Sequence, residues 1–102
     1  MDDVCRTAIQ TYGEVHRLSE LAKAMSRFTE SIHSAIVLKT NREQIADDMA
    51  ELRILLRQAE MIFDIQDAVQ KKTEEKLENQ YYRMKEEWHQ REVRSAGSGR
   101  LQ

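Results

Sequence analysis

Apolar residues recur at alternating steps of three and four along most of this chain, which is the spacing of one face of an α-helix. Two stretches show the pattern most clearly. The first, from Glu14, carries Leu18, Leu21, Met25, Phe28, Ile32 and Ala35 or Ile36. The second carries Ile45, Met49, Leu52, Leu56, Ala59 and Phe63. Both stretches predict helices of about 20 residues or more, each with an apolar stripe along one side.

Local signals place the ends of these helices. A first helix is predicted to begin after Asp2 or Asp3, and Gly13 either ends it or only loosens it. A break is predicted over residues 38–40, followed by Asn41 as an N-cap with Gln44 three residues on. Residues 63–66 form a short predicted connection to the next helix.

The fourth predicted helix opens at Asp67, with Gln70 completing a second capping box, and runs to Val93. Its apolar positions are Val69, Leu77, Tyr81, Met84 and Trp88. Residues 94–102 are small and polar, and we expect a disordered tail there. The helical domain is therefore predicted to span residues 1–93.

These elements predict an all-α fold, an antiparallel bundle of about four helices. The chain of 102 residues contains no proline and three glycines, so little interrupts its helices. Short connections favour antiparallel neighbours, and the apolar stripes are too wide for one partner helix to cover. Because so short a chain buries a modest share of its surface alone, we expect a homodimer or higher homo-oligomer to complete the bundle.

Charge and cysteine content limit the possible partners and the compartment. The formal net charge of −2 gives no reason to expect a nucleic-acid partner. No apolar run approaches the roughly 20 residues that span a bilayer, so no membrane partner is expected. The acidic residues after Met1 are unlike a signal peptide, and the single Cys5 fits a reducing compartment. We therefore expect a cytoplasmic protein.

Asp48 and Glu51 are the candidate ligand pair. They are three residues apart, which places both carboxylates on one side of a helix. Asp48 lies within the rows of the apolar stripe, where a carboxylate is costly unless a cation or a donor compensates it. Two such groups can bind Mg²⁺, which prefers oxygen ligands. The alternative is that both lie at the edge of the stripe and remain solvated.

The neighbourhood of this pair resembles the MazG-like nucleoside triphosphate pyrophosphohydrolases. Residues 47–52, Asp-Asp-Met-Ala-Glu-Leu, with Ile-Leu-Leu-Arg-Gln at 54–58, are similar to the second carboxylate motif of that family with its acids interchanged. The family's Thr-Trp/Tyr-Gly-Glu opening is similar to residues 11–14, and the similarity continues through 60–64 and 75–77. It covers roughly residues 4 to 90.

The resemblance implies hydrolysis of a nucleoside triphosphate to a monophosphate and pyrophosphate. In the family, four carboxylates hold Mg²⁺ ions that neutralise the phosphates. Asp48 and Glu51 map to the second carboxylate pair. The first motif, counted without gaps, falls on Lys23, Ala24 and Arg27, and a shifted register recovers only Glu20 as a ligand.

Two functions therefore stay open from the sequence. One is a working or weak Mg²⁺-dependent nucleoside triphosphate pyrophosphohydrolase with Asp48, Glu51 and Glu20 as metal ligands. The other is a non-catalytic homologue that binds a nucleotide or a protein partner. On the second interpretation Lys23 and Arg27 pair with the acids in place of metal, unless they extend into solvent.

The fourth helix carries weaker candidates. Its mixed charges are typical of a solvated face with helix-stabilising ion pairs. Lys76 is the candidate phosphate contact, because the family shows Lys-Leu at this place. Tyr81, Tyr82 and Trp88 are typical of a core or a dimer contact, with base stacking as the alternative.

Overall fold

The computed structural model describes the backbone of residues 1–38 and 42–101 and the side chains of residues 1–37 and 42–94. It contains the helices α1 (Asp2–Tyr12), α2 (Glu14–Leu38), α3 (Arg42–Phe63) and α4 (Gln66–Leu101). No strand occurs in this part of the chain. The all-α prediction is confirmed. Over the same residues no helix is both long enough and apolar enough to cross a membrane.

Several predicted boundaries can be compared with these helices. Of the break predicted over residues 38–40, Leu38 is instead the last residue of α2. Residues 39 and 40 and the predicted cap at Asn41 lie outside the described residues. Helix α4 begins at Gln66, so Asp67 lies in its first turn rather than capping it. There the negative charge of its carboxylate interacts favourably with the positive end of the helix dipole. The backbone of α4 is helical to Leu101, while the disordered tail expected at 94–102 stays a prediction.

Gly13 separates α1 from α2. Its φ of 89° lies in the left-handed region, where a side chain is disfavoured. Its N–H donates to the carbonyl of Ile9 at 2.8 Å, and its carbonyl accepts from the N–H of Arg17 at 3.1 Å. Gly13 therefore ends α1 and begins α2, and of the two alternatives the interpretation as a helix end is correct.

A second left-handed residue ends α3. Asp64 has a φ of 53°. The N–H of Asp64 donates to the carbonyl of Met61 at 3.3 Å, and that of Ile65 donates to the carbonyl of Glu60 at 3.0 Å. These two bonds form the Schellman arrangement that closes many helix C-termini. The break between α3 and α4 is therefore formed by main-chain groups.

The chain divides into two compact units, residues 1–66 and residues 67–102. In the first unit, α2 packs against α3, and α1 packs against both. Side-chain bonds join Arg17 to Gln58, Arg27 to Glu51 and Ser31 to Asp48. Residue numbers rise along α2 as they fall along α3, so these two helices are antiparallel.

The core of the first unit is small. Its buried apolar residues are Cys5, Ala24 and Leu55, which are 1 to 3% exposed. The α3 face in contact with α2 is centred on Asp48, Leu55 and Gln58. Half of the stripe predicted for α3 lies beside this face rather than within it, because one neighbouring helix cannot cover so wide a stripe. Its uncovered members are Met49, Leu56 and Phe63, which are 41 to 58% exposed.

An ion pair joins the start of α1 to α3. The guanidinium of Arg57 donates to both carboxylate oxygens of Asp2, at 3.0 and 2.9 Å, and to Glu60 at 3.2 Å. The hydrogen bond from Arg57 holds the pKa of Asp2 below its ordinary value of 3.8. Such a two-bond pair fixes geometry as well as adding attraction.

The Asp2 pair is expected to make stability depend on pH. Because the folded pKa of Asp2 is lowered, its contribution is present above 3.8 and is lost as the pH falls through the folded pKa. Thermal unfolding of the wild type and of Asp2→Asn should therefore differ at neutral pH and converge in acid. Asp3→Asn is the matched control, because Asp3 is in the same helical turn but is 99% exposed. A difference that persists unchanged into acid would contradict this role.

Helix α4 belongs to the second unit from Asp67 onward. Val69 is partly buried, whereas every described side chain from 70 to 94 is exposed. The apolar residues predicted for a core or dimer contact are among them, including Leu77, Tyr81 and Trp88 at 52 to 60% exposure. The predicted inclusion of α4 in one bundle stays a prediction.

Candidate functional site

An open cleft of about 400 Å³ lies between the C-terminal half of α2 and the start of α3. It is lined by Arg27, Glu30, Ser31, Ser34, Gln44, Ile45 and Asp48. On each helix these residues lie within one or two turns, next to one another or three or four apart, so that they share one side of that helix. The cleft therefore combines one cation, two carboxylates and several neutral hydrogen-bonding groups.

Asp48 is the buried acid of this cleft, with 7% of the residue exposed. Its carboxylate accepts hydrogen bonds from the hydroxyl of Ser31 and, at 3.0 Å, from the amide nitrogen of Gln44. A carboxylate removed from water is costly unless donors replace its hydration, and these two groups do so. Of the two alternatives that the sequence left open for Asp48, the inward placement is the one found. Both donors are uncharged, so Asp48 differs from Glu51, which is bonded by a cation.

Glu51 has a different environment. A guanidinium nitrogen of Arg27 donates to its carboxylate at 2.9 Å, and the two side chains are 47% and 46% exposed. This exposure agrees with the alternative in which the acid remains at the solvated edge. The pair also matches the hypothesis that Arg27 faces the acids of α3. An ion pair this exposed contributes about 1 kcal/mol or less to stability.

Lys23 does not take part in the contact with α3 that was proposed for it. Its ammonium donates to Glu20 at 3.3 Å, within the same helix. The Lys23 side chain is 65% exposed. Bonding to Lys23 lowers the pKa of Glu20 below its ordinary value of 4.5. His16 also approaches Glu20, at 3.9 Å. The contacts recorded for Glu20 are thus with residues of its own helix.

The three predicted metal ligands do not converge. Asp48 is bonded by Ser31 and Gln44, Glu51 by Arg27, and Glu20 by a lysine of its own helix. Among the side chains that the structure describes, no three acids, histidines or cysteines are grouped closely enough to hold a metal ion. The donor set therefore does not fit the four-carboxylate Mg²⁺ site that the resemblance implies.

Sequence reasoning missed the two donors to Asp48. Gln44 lies four residues before Asp48, and that spacing was available as a signal. Ser31 was not identifiable, because its contact depends on how α2 and α3 are rotated against each other. Glu30, which lines the cleft beside Ser31, was missed for the same reason.

A second polar contact between helices lies near the other end of α3. Gln58 is 2% exposed, and its amide oxygen accepts from Arg17 at 2.7 Å. The guanidinium of Arg17 also lies 5.3 Å from the ring centroid of Tyr12. This arrangement joins the end of α1 to α2 and α3. Because Gln58 is buried and its amide oxygen is satisfied by Arg17, we interpret this contact as structural.

The candidates on α4 are all exposed. Lys76 faces solvent, and the rings of Tyr81 and Tyr82 meet edge to face at 5.7 Å between centroids. Trp88 is 53% exposed. These positions leave phosphate contact, base stacking and a dimer contact as predictions.

No family model, curated protein or solved structure matches this chain.

Proposed function

We propose that this chain is a non-catalytic MazG-like homologue that works as a homodimeric protein-interaction module in the cytoplasm. The observation that carries the proposal is the ion pair of Arg27 with Glu51 at 2.9 Å. A cation of the protein itself holds a carboxylate that the resemblance assigns to Mg²⁺. The single Cys5 supports a reducing compartment.

The electrostatics of this pair oppose metal binding. Arg27 already neutralises Glu51, and Mg²⁺ placed at the same carboxylate would bring two cations close together. A metal ion would have to displace the arginine and recruit further oxygen ligands. Glu20, another of the three candidate ligands, is bonded to Lys23. Phosphoryl transfer depends on positioned metal cations that stabilise the charge of the phosphates. Without Mg²⁺ at these carboxylates, the reaction lacks that stabilisation.

Uncovered apolar side chains support an interaction role. Met25 and Phe63 of the first unit are 51% and 58% exposed, and Trp88 of the second is 53% exposed. Soluble monomers rarely expose large contiguous apolar patches, and extended ones mark contact sites. A second copy of the chain is the partner we propose, as the completion of the expected helical bundle.

A weak nucleoside triphosphate pyrophosphohydrolase is the second candidate, and Asp48 is the observation that favours it. Its carboxylate lines an open cleft large enough for part of a nucleotide, and its two recorded donors are neutral. On this alternative the cleft binds the nucleoside triphosphate, with Arg27 available to a phosphate once released from Glu51.

Turnover measurements separate the two candidates. We expect no pyrophosphate release above background from canonical or damaged nucleoside triphosphates with Mg²⁺ or Mn²⁺, because the carboxylates do not converge. Calorimetry should likewise detect no Mg²⁺ binding to the wild type. Turnover that Asp48→Asn abolishes would establish the hydrolase instead. Ser34→Ala, in the same cleft but without a recorded bond to Asp48, is the matched control.

A further inference from the structure

Four apolar side chains form one exposed stripe along α4, which we call the α4 stripe. Its members are Leu77, Tyr81, Met84 and Trp88, at steps of four, three and four. Each is 37 to 60% exposed. A stripe with this spacing on a long helix has the geometry that two-helix coiled coils bury.

Charged residues of alternating sign follow one flank of the α4 stripe. They are Lys71, Glu78, Lys85 and Glu92, seven residues apart and all exposed. The opposite flank differs, since it carries Thr73, Gln80, Glu87 and Arg94 at the same interval. In a coiled coil the flanking positions lie beside the apolar contact, so their charges select partner, direction and register.

We propose that α4 pairs with α4 of a second copy as an antiparallel two-helix coiled coil centred between Tyr82 and Arg83. The inference rests on the proposed self-association and adds its surface, direction and register. About this centre, Leu77 lies opposite Trp88 of the second copy and Tyr81 lies opposite Met84. The α4 stripe is then buried against itself in complementary layers.

The charges agree with this register. In an antiparallel pair, equivalent flanks of the two helices face each other. On the facing flank the residue nearest to Glu78 is then Lys85 of the second copy, two positions from exact opposition, and the residue nearest to Lys71 is Glu92, with the same offset. Two-fold symmetry repeats both contacts. Each contact joins opposite charges.

Neighbouring registers place like charges together. A shift of one heptad in one direction sets Lys85 against Lys85 of the second copy, and Glu78 against Glu92. The same shift in the other direction sets Glu78 against Glu78 of the second copy, and Lys71 against Lys85. Like-charge contacts of this kind work against wrong pairings. The register centred between Tyr82 and Arg83 avoids them, and a shift of two heptads, which also pairs opposite charges, takes most of the α4 stripe out of contact with itself.

A parallel pair is disfavoured by the same residues. There each flank faces the opposite flank, so Glu78 meets Thr73 and Lys85 meets Gln80, without ion pairs. Glu87 meets Glu92, and symmetry repeats this repulsion. The alternating charges along this flank therefore form ion pairs between the helices only in the antiparallel arrangement.

The test measures self-association of the full 102-residue chain by sedimentation equilibrium at low ionic strength. Wild type is expected to dimerise. Lys85→Glu sets glutamate against Glu78 and should raise the dissociation constant by about tenfold or more. Circular dichroism checks that α4 stays helical. Lys76→Glu, at an exposed position away from the flank, is the matched control.

Charge exchange makes the test specific. The double variant Glu78→Lys/Lys85→Glu should regain dimerisation, and a mixture of the two single variants should form heterodimers. A monomeric wild type would overturn both this interface and the proposed homodimer. A wild type that dimerises no better than Lys85→Glu would overturn the α4 interface alone. A folded double variant that stays dissociated would also overturn it.

Discussion

Replacing both Lys23 and Arg27 by glutamate is expected to create a Mg²⁺ site that the wild type lacks. The change removes the cation that holds Glu51 at 2.9 Å and adds a carboxylate in its place. It also turns the position that bonds Glu20 from a cation into an acid. Without metal the new acids repel one another, and Mg²⁺ is the kind of cation that such oxygen ligands bind.

Calorimetry should therefore detect Mg²⁺ binding at least about a hundredfold tighter than to the wild type, equivalent to about 2.7 kcal/mol or more. Mg²⁺ should also raise the melting temperature of this variant, because binding to the folded state stabilises it. Lys72→Glu/Lys76→Glu is the control, since it makes the same charge change on exposed positions of α4. A folded Lys23→Glu/Arg27→Glu variant without Mg²⁺ binding would refute the idea that Arg27 stands in place of a metal ion.

Leu55→Ala is expected to destabilise the first unit by about 2–4 kcal/mol. Leu55 is 3% exposed and is one of few buried apolar side chains in residues 1–66. Its truncation leaves a cavity where α3 meets α2, and the surrounding helices relax only in part. So large a loss is a substantial part of the stability of a small domain.

The neighbouring leucine provides the control. Leu56 is 45% exposed, on the same helix and with the same side chain, so Leu56→Ala changes helix propensity by the same amount. Urea unfolding followed by circular dichroism should show a loss of less than about 1 kcal/mol for this variant. Equal losses for Leu55→Ala and Leu56→Ala would contradict the observed rotation of α3.

The sequence was sufficient to predict the helices, because their signals are local. The three- and four-residue steps identified α2 and α3, and Gly13 marked the end of α1. It was also predictable that Arg27 lies opposite Glu51, since both residues are at similar distances along the chain from the connection between two antiparallel helices. Such features need only spacing and direction along the chain.

The rotation of α2 against α3 was not predictable, because packing decides it. Ala24, which aligns with an acid of the resembled family, is instead one of the few buried apolar residues, at 2% exposure. Ser31, further along α2, is the residue that bonds Asp48. Lys23 bonds Glu20 of its own helix, whereas Arg27 one turn later reaches Glu51. Which of these side chains meet depends on long-range packing and not on spacing along the chain.

The main-chain closure at Asp64 and Ile65 has an evolutionary consequence. Because the N–H groups of these residues bond to carbonyls of α3 itself, the end of α3 does not depend on the side chains that follow it. Substitutions of side chains along α4 therefore leave the hydrogen bonds that close α3 in place, so that α4 can be altered to change a partner without changing how α3 ends.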